Sequence, residues 1–148
     1  MQLSENNAKI LLLDIHQDIE EFADDLVNVI LEKKDFNSMT YPPNCGLSEL
    51  EKEELLKLGN NEHLKNALRK VFADSSAGIV FNILNIIDGT SDPKNDKGDW
   101  TGVKIIDDEP NENSEPLSDF LHDKFYDTYW DWREIRGNKN WKLDTYND

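Results

Sequence analysis

The 148-residue chain has one cysteine, Cys45, so it can form neither an intrachain disulfide nor a thiol-rich zinc site, which fits a reducing compartment. Basic residues are also scarce: sixteen Lys and Arg stand against thirty-one Asp and Glu, for a net charge of −15. That balance disfavours duplex DNA, RNA and anionic membrane surfaces as direct partners and favours a basic protein. The strongest early apolar run, Ile10–Leu13, is far too short to span a membrane, and Met1–Asn6 lacks the basic region of a signal peptide. The expectation is a cytoplasmic protein without membrane contact. Glycine is sparse too, and Gly98 and Gly102 stand apart from any strand-turn-helix context that would cradle a phosphate or dinucleotide.

Fourteen aromatic residues and several periodic apolar segments argue for a packed core despite the high charge. The length suits a single globular domain spanning 1–148, with a loose C-terminal tail. From Ala8 to about Lys34, Leu12, Ile15, Ile19, Phe22, Leu26, Val29 and Ile30 recur at helical steps. Asp14, Asp18, Glu21, Asp25 and Glu32 fall opposite them, so the helix has an acidic outer surface; a short strand at Ile10–Asp14 is the competing reading. After a loop broken by Pro42-Pro43, Ser48 and Glu51 have capping-box spacing and open a helix to Leu58, with Gly59 as its terminator. Asn61 opens another helix through Val71. Asp74 or Ser75 then caps a separate, uncharged segment from Ser76 to Ile87, read as a buried helix stopped by Asp88-Gly89.

Residues 88–99 form an acidic loop by composition, and Thr101–Ile106 is the best strand candidate, being rich in β-branched residues. Its pairing partner would be Ile10–Asp14, Ile79–Ile87 or Trp141–Tyr146. A second acidic loop, 107–116, leads into a helix from about Leu117 to Ile135, ended by Gly137. The fold class is therefore α+β and predominantly helical, with about five helices and a small β element around residues 101–106.

The charge is unevenly spread. Residues 1–35 carry −6 and residues 88–134 carry −9, whereas 36–87 carry only −1 and 135–148 carry +1. In the last helix, Leu117, Leu121, Phe125, Trp132 and Ile135 share a core face, and Asp119, Asp123, Asp127 and Asp131 make a flanking stripe. Tyr126 and Trp130 fall almost opposite the core. Aromatics of this kind anchor interfaces and carboxylates steer basic partners, so Asp119, Asp123, Tyr126, Asp127, Trp130 and Asp131 are the candidate partner-binding residues. The competing reading packs both aromatics under a loop or the tail, since seven of the fourteen aromatics lie between Phe120 and Trp141.

No catalytic or metal site and no cofactor is expected. His16, His63 and His122 belong to no His-x-x-x-His or Glu-x-x-His ligand pattern, and His122 has no nearby nucleophile in sequence. If Gly98 is set at the sixth position of a calcium loop, Pro93 and Lys97 fall on ligand positions, which excludes an EF-hand. In size, acidity and its aromatic helix the chain resembles the small immunity proteins with which bacteria neutralise toxins, though it carries no motif of a named family. The expected function is a noncatalytic acidic protein-binding domain that masks a basic site. The alternative is a small hydrolase or metal-dependent enzyme in which His122 converges with Asp88, Asp92, Asp119 or Asp123 from the region 88–123. A homo-oligomer joined through the Trp130 surface is a third arrangement.

Overall fold

A computed structural model describes residues 2–39, 41–43, 46–109 and 111–138. Along the chain lie α1 (Glu5–Val27), continued by a π-helical turn (Asn28–Lys33), then α2 (Glu49–Leu56), α3 (Glu62–Ile87) and α4 (Leu121–Ile135). Among the described residues there are four α-helices and no strand, and the one β-type pairing is an isolated antiparallel bridge between Ser4 and Pro116. The expected α+β class is thus corrected to all-helical.

Both errors behind that expectation have physical causes. Among the described residues the strand at 101–106 has nothing to pair with, because Ile10–Asp14 lies inside α1 and Ile79–Ile87 inside α3. The third candidate partner, Trp141–Tyr146, lies outside the described residues, as does Cys45. Gly102 adopts φ +90, a conformation foreign to a regular strand, and Val103 and Ile106 remain exposed. The fifth helix disappears because α3 runs unbroken through Asp74 and Ser75. No Gly or Pro interrupts the chain there, and both residues are exposed, so their side chains can point to solvent instead of capping a new helix.

The chain divides into two compact units, each built from parts of α1 and α3. Of the described residues, unit 1 comprises 2–18 and 76–138 and unit 2 comprises 19–75.

Unit 2 is centred on Val27, Ile30, Leu31 and Phe36, with Leu55, Leu64, Leu68 and Phe72 packed around them. The expected capping box holds α2: Ser48 Oγ accepts from the Glu51 amide at 3.3 Å, and Glu51 Oε2 accepts from the Ser48 amide at 2.7 Å. At the other end Gly59 is not left-handed, and its expected role passes to a lysine. Lys34, itself at φ 54, donates from Nζ to the carbonyls of Leu55 and Leu58 at 3.4 and 3.0 Å. Asn61 Oδ1 caps α3 by accepting from the Leu64 amide at 2.9 Å. Two ion pairs cross the unit, Arg69–Asp24 at 2.7 Å and Lys65–Glu32 at 2.6 Å.

Unit 1 is built around Leu12 and Phe125, both fully buried, with Leu3, Ala8, Leu84 and Leu121. Residues 2–5 act as a strap against the second acidic loop and the residues that follow it. The Asp107 amide donates to the Gln2 carbonyl at 3.3 Å, the Glu5 amide to the Glu115 carbonyl at 2.9 Å and the Leu117 amide to the Leu3 carbonyl at 2.9 Å. The Ser4 amide donates to Asp107 Oδ1 at 3.1 Å, and Ser118 donates to Glu5 Oε1 from its amide at 3.0 Å and its hydroxyl at 2.9 Å. These bonds to Leu3 and Glu5 hold 115–118 extended, which explains why α4 begins at Leu121 and not at Leu117.

The buried face of α1 is also rotated from the expected one. Ala8, Leu12, His16, Ile19, Ala23 and Val27 are buried, whereas Phe22 is 66% exposed. Counting apolar residues favours Phe22, but the buried positions go to the small Ala8 and Ala23 and the polar His16, which a count of large apolar residues passes over. The 76–87 segment differs as well. Read as a buried helix, it buries Leu84 but leaves Ile79 61% and Ile83 50% exposed. By length and composition α3 could cross a membrane, and 11% of its most apolar stretch is buried within the protein.

Candidate functional site

α4 is an amphipathic helix whose two faces are set by its contacts in unit 1. On the inner face Leu121, Phe125 and Thr128 are buried. His16 of α1 stacks flat on Phe125, with ring centroids 4.7 Å apart and planes at 7°, and its Nε2 donates to the Phe125 carbonyl at 2.7 Å. Burial holds the His16 imidazole below its ordinary value of 6.5, opposed by that hydrogen bond. Thr128, which apolar pattern reading passes over, fills a core position by turning its hydroxyl back to the Lys124 carbonyl at 2.9 Å. Ile135, expected on the core face, is exposed at the last turn, and Leu117 lies before the helix.

The N-terminus of α4 has no cap from its own flanking residue, Phe120. Asp88, at the end of α3, supplies one: its Oδ2 accepts from the His122 amide at 2.9 Å and from His122 Nδ1 at 2.7 Å. The imidazole is held between Phe120, stacked at 5.4 Å, and the edge of Phe81 at 5.7 Å. Its Nε2 comes within 3.6 Å of Asp123 Oδ1, although neighbouring helical residues do not ordinarily face each other.

On the outer face Tyr126 is 55% exposed and Trp130 57% exposed. Neither is loose. Tyr126 leans on Phe81 of α3 at 5.3 Å and on Phe125 at 5.2 Å, while Trp130 meets the edge of Tyr129 at 5.3 Å with the Arg133 guanidinium 5.8 Å above its ring.

The four candidate carboxylates are all exposed but fall into two groups. Asp131 pairs with Lys9 of α1 at 2.7 Å, and Asp119 lies 3.3 Å from Lys124. Among the described residues Asp123 has only its contact with His122, and Asp127 has no cation within ion-pairing distance. Asp127 instead lines an open groove of about 380 Å³ between α1 and α4, together with Glu5, Lys9, Lys124 and Asp131. The Glu5 carboxyl is held below its ordinary value chiefly by the Ser118 amide and hydroxyl, and Lys124 is raised chiefly by Asp119.

Of the carboxylates that the hydrolytic alternative set around His122, the structure brings Asp88 and Asp123 to the imidazole. Sequence reasoning missed the capping of α4 by Asp88, whose bond to His122 spans thirty-four positions, and it missed the groove. The groove required knowing that Lys9 and Glu5 face α4. Among the described residues no group of three or more His, Cys, Asp or Glu side chains is arranged to hold a metal ion. Comparison with family models, with curated proteins and with solved structures gave no match.

Proposed function

We propose that the protein is a noncatalytic binding protein that covers a basic site on another protein with the outer face of α4, in the manner of an immunity protein that neutralises a toxin. The observation that carries this reading is the pair of exposed, braced aromatics, Tyr126 and Trp130, beside the carboxylates Asp123 and Asp127, which no described lysine or arginine neutralises. Rigid aromatics provide desolvated anchor area at low entropic cost, and the carboxylates accelerate encounter with a cationic partner. If the partner is a nuclease, the same carboxylates occupy cations that would otherwise hold phosphates. The hydrolytic alternative has less support. Asp88 is engaged in capping α4, Asp119 is engaged by Lys124, Asp92 stays in an exposed loop, and neither His122 nor Asp88 lines the groove.

The test is binding kinetics against purified products of the neighbouring genes over a range of salt. A basic partner is expected whose association slows as salt rises. Asp123→Asn should slow association further, whereas Trp130→Ala should speed dissociation by tenfold or more, as loss of an anchor worth about 2 kcal/mol requires. Binding indifferent to salt and to Trp130→Ala would overturn the proposal, and a stable homodimer that buries Trp130 would replace it.

A further inference from the structure

The groove beside α4 combines an apolar floor with an incompletely neutralised rim. Its floor is made by Ala8, Leu12 and Thr128, all buried. Both of its lysines are engaged: Lys9 with Asp131 at 2.7 Å, and Lys124 with Asp119 at 3.3 Å and Glu5 at 3.5 Å. An incoming anion would have to displace a carboxylate from either one. Asp127 is the opposite case, a carboxylate at the rim with both oxygens unpaired among the described residues. At about 380 Å³ the groove lies near the lower limit for ligand sites, enough for one long side chain.

We infer that this groove receives a single arginine side chain of the basic partner, its methylene stem over the apolar surface of the groove and its guanidinium paired with Asp127. The inference rests on the proposed reading of α4 as a partner-binding surface and names what that partner presents beside the aromatics. A long cation fits because its stem can cover apolar surface while its head stays at the wet rim. Arginine fits better than lysine because its planar fork meets both oxygens of one carboxylate.

The probe is a capped tripeptide, acetyl-Gly-Arg-Gly-amide, titrated into the labelled full chain and followed by NMR. Its lysine and citrulline counterparts serve as comparisons, citrulline having nearly the same shape without the charge. Saturable shifts are expected at Ala8, Leu12 and Thr128, weaker with lysine and absent with citrulline. Asp127→Asn should weaken the arginine peptide about fivefold, the upper range for one partly exposed ion pair, whereas Asp25→Asn, exposed and outside the groove, should leave it unchanged. Asp127 is exposed and unpaired among the described residues, so its replacement does not put the fold at stake. Equal response to citrulline, no response at the floor residues, or equal loss in both variants would overturn the inference. The two readings fail separately. Partner binding through Trp130 with a silent groove would sink this inference alone, whereas an arginine-specific groove in a chain whose Trp130→Ala variant binds its partner normally would sink the α4 reading alone.

Discussion

Replacing His16 by phenylalanine separates two contributions that unit 1 draws from one side chain. Phenylalanine retains the flat stack on Phe125 but loses the bond from Nε2 to the Phe125 carbonyl, 2.7 Å long in the native protein. A buried hydrogen bond of this kind is worth about 1 kcal/mol net, so His16→Phe should lose about that much where the imidazole is neutral. His16→Ala also loses the stack and leaves a void, and should cost about 3 kcal/mol. The pH dependence gives the sharper test. Burial lowers the His16 pKa below its ordinary 6.5, so between the two values the folded chain binds fewer protons than the unfolded chain. The contribution is therefore fully present above about 6.5 and declines as pH falls below it, with a slope of at most about 1.4 kcal/mol per pH unit. Urea unfolding followed by tryptophan fluorescence, from about pH 8 to about pH 5, reads both terms. The wild type should be more stable than His16→Phe at the upper end, and the gap should narrow or reverse at the lower end. A gap that stays constant across the range would refute the burial argument.

Other expectations concern the helix ends and the charged surface. Asp88→Ala removes the acceptor for both the His122 amide and its imidazole, and should cost about 2 kcal/mol in the same unfolding assay, with faster hydrogen exchange in the first turn of α4. Gly89 closes α3 at φ +71 with open space where a Cβ would lie, so Gly89→Ala should cost about 1 kcal/mol from backbone strain alone. Glu5, Glu32, Glu51 and Asp107 are each held below their ordinary values, by hydrogen bonds from Ser118, Lys65, Ser48 and Asn7 respectively. Their stabilisation is present above the ordinary carboxylate values of 4.5 and 3.8 and lost as pH falls beneath them. Acid unfolding should thus draw on these carboxylates below about pH 4.5, and Ser118→Ala should shrink that contribution.

The elements set by local chemistry were legible in the sequence. The α2 capping box, the Asn61 cap, the Asp88-Gly89 stop and the acidic side of α1 all depend on residues within a turn or two of each other. The outward placement of Tyr126 and Trp130 followed from helical angle alone. What failed depended on distant partners. Residues 101–106 have strand composition, but strand formation needs an edge, and the apolar runs that might supply one within the described residues are helical. Asp74 and Ser75 are good caps that the chain does not use, because nothing around them stops the helix. The split of the carboxylate stripe into paired and unpaired members was likewise hidden, since Lys9 reaches Asp131 across 122 positions.

The strap formed by residues 2–5 also sets an order of events during synthesis. The groups that hold these residues, at Asp107, Glu115, Leu117 and Ser118, are made more than a hundred positions after them. His16 waits about as long for Phe125, 109 positions further on. Unit 2 draws its core from residues 19–75, so its partners emerge close together and can associate while the remainder is still being translated. Closing unit 1 must bring together the two ends of a long nascent segment, the slow and entropically costly kind of contact. Until α4 is complete, the beginning of α1 lacks the partners that bury Leu12 and His16, and this stretch is where a chaperone would find exposed surface on the growing chain.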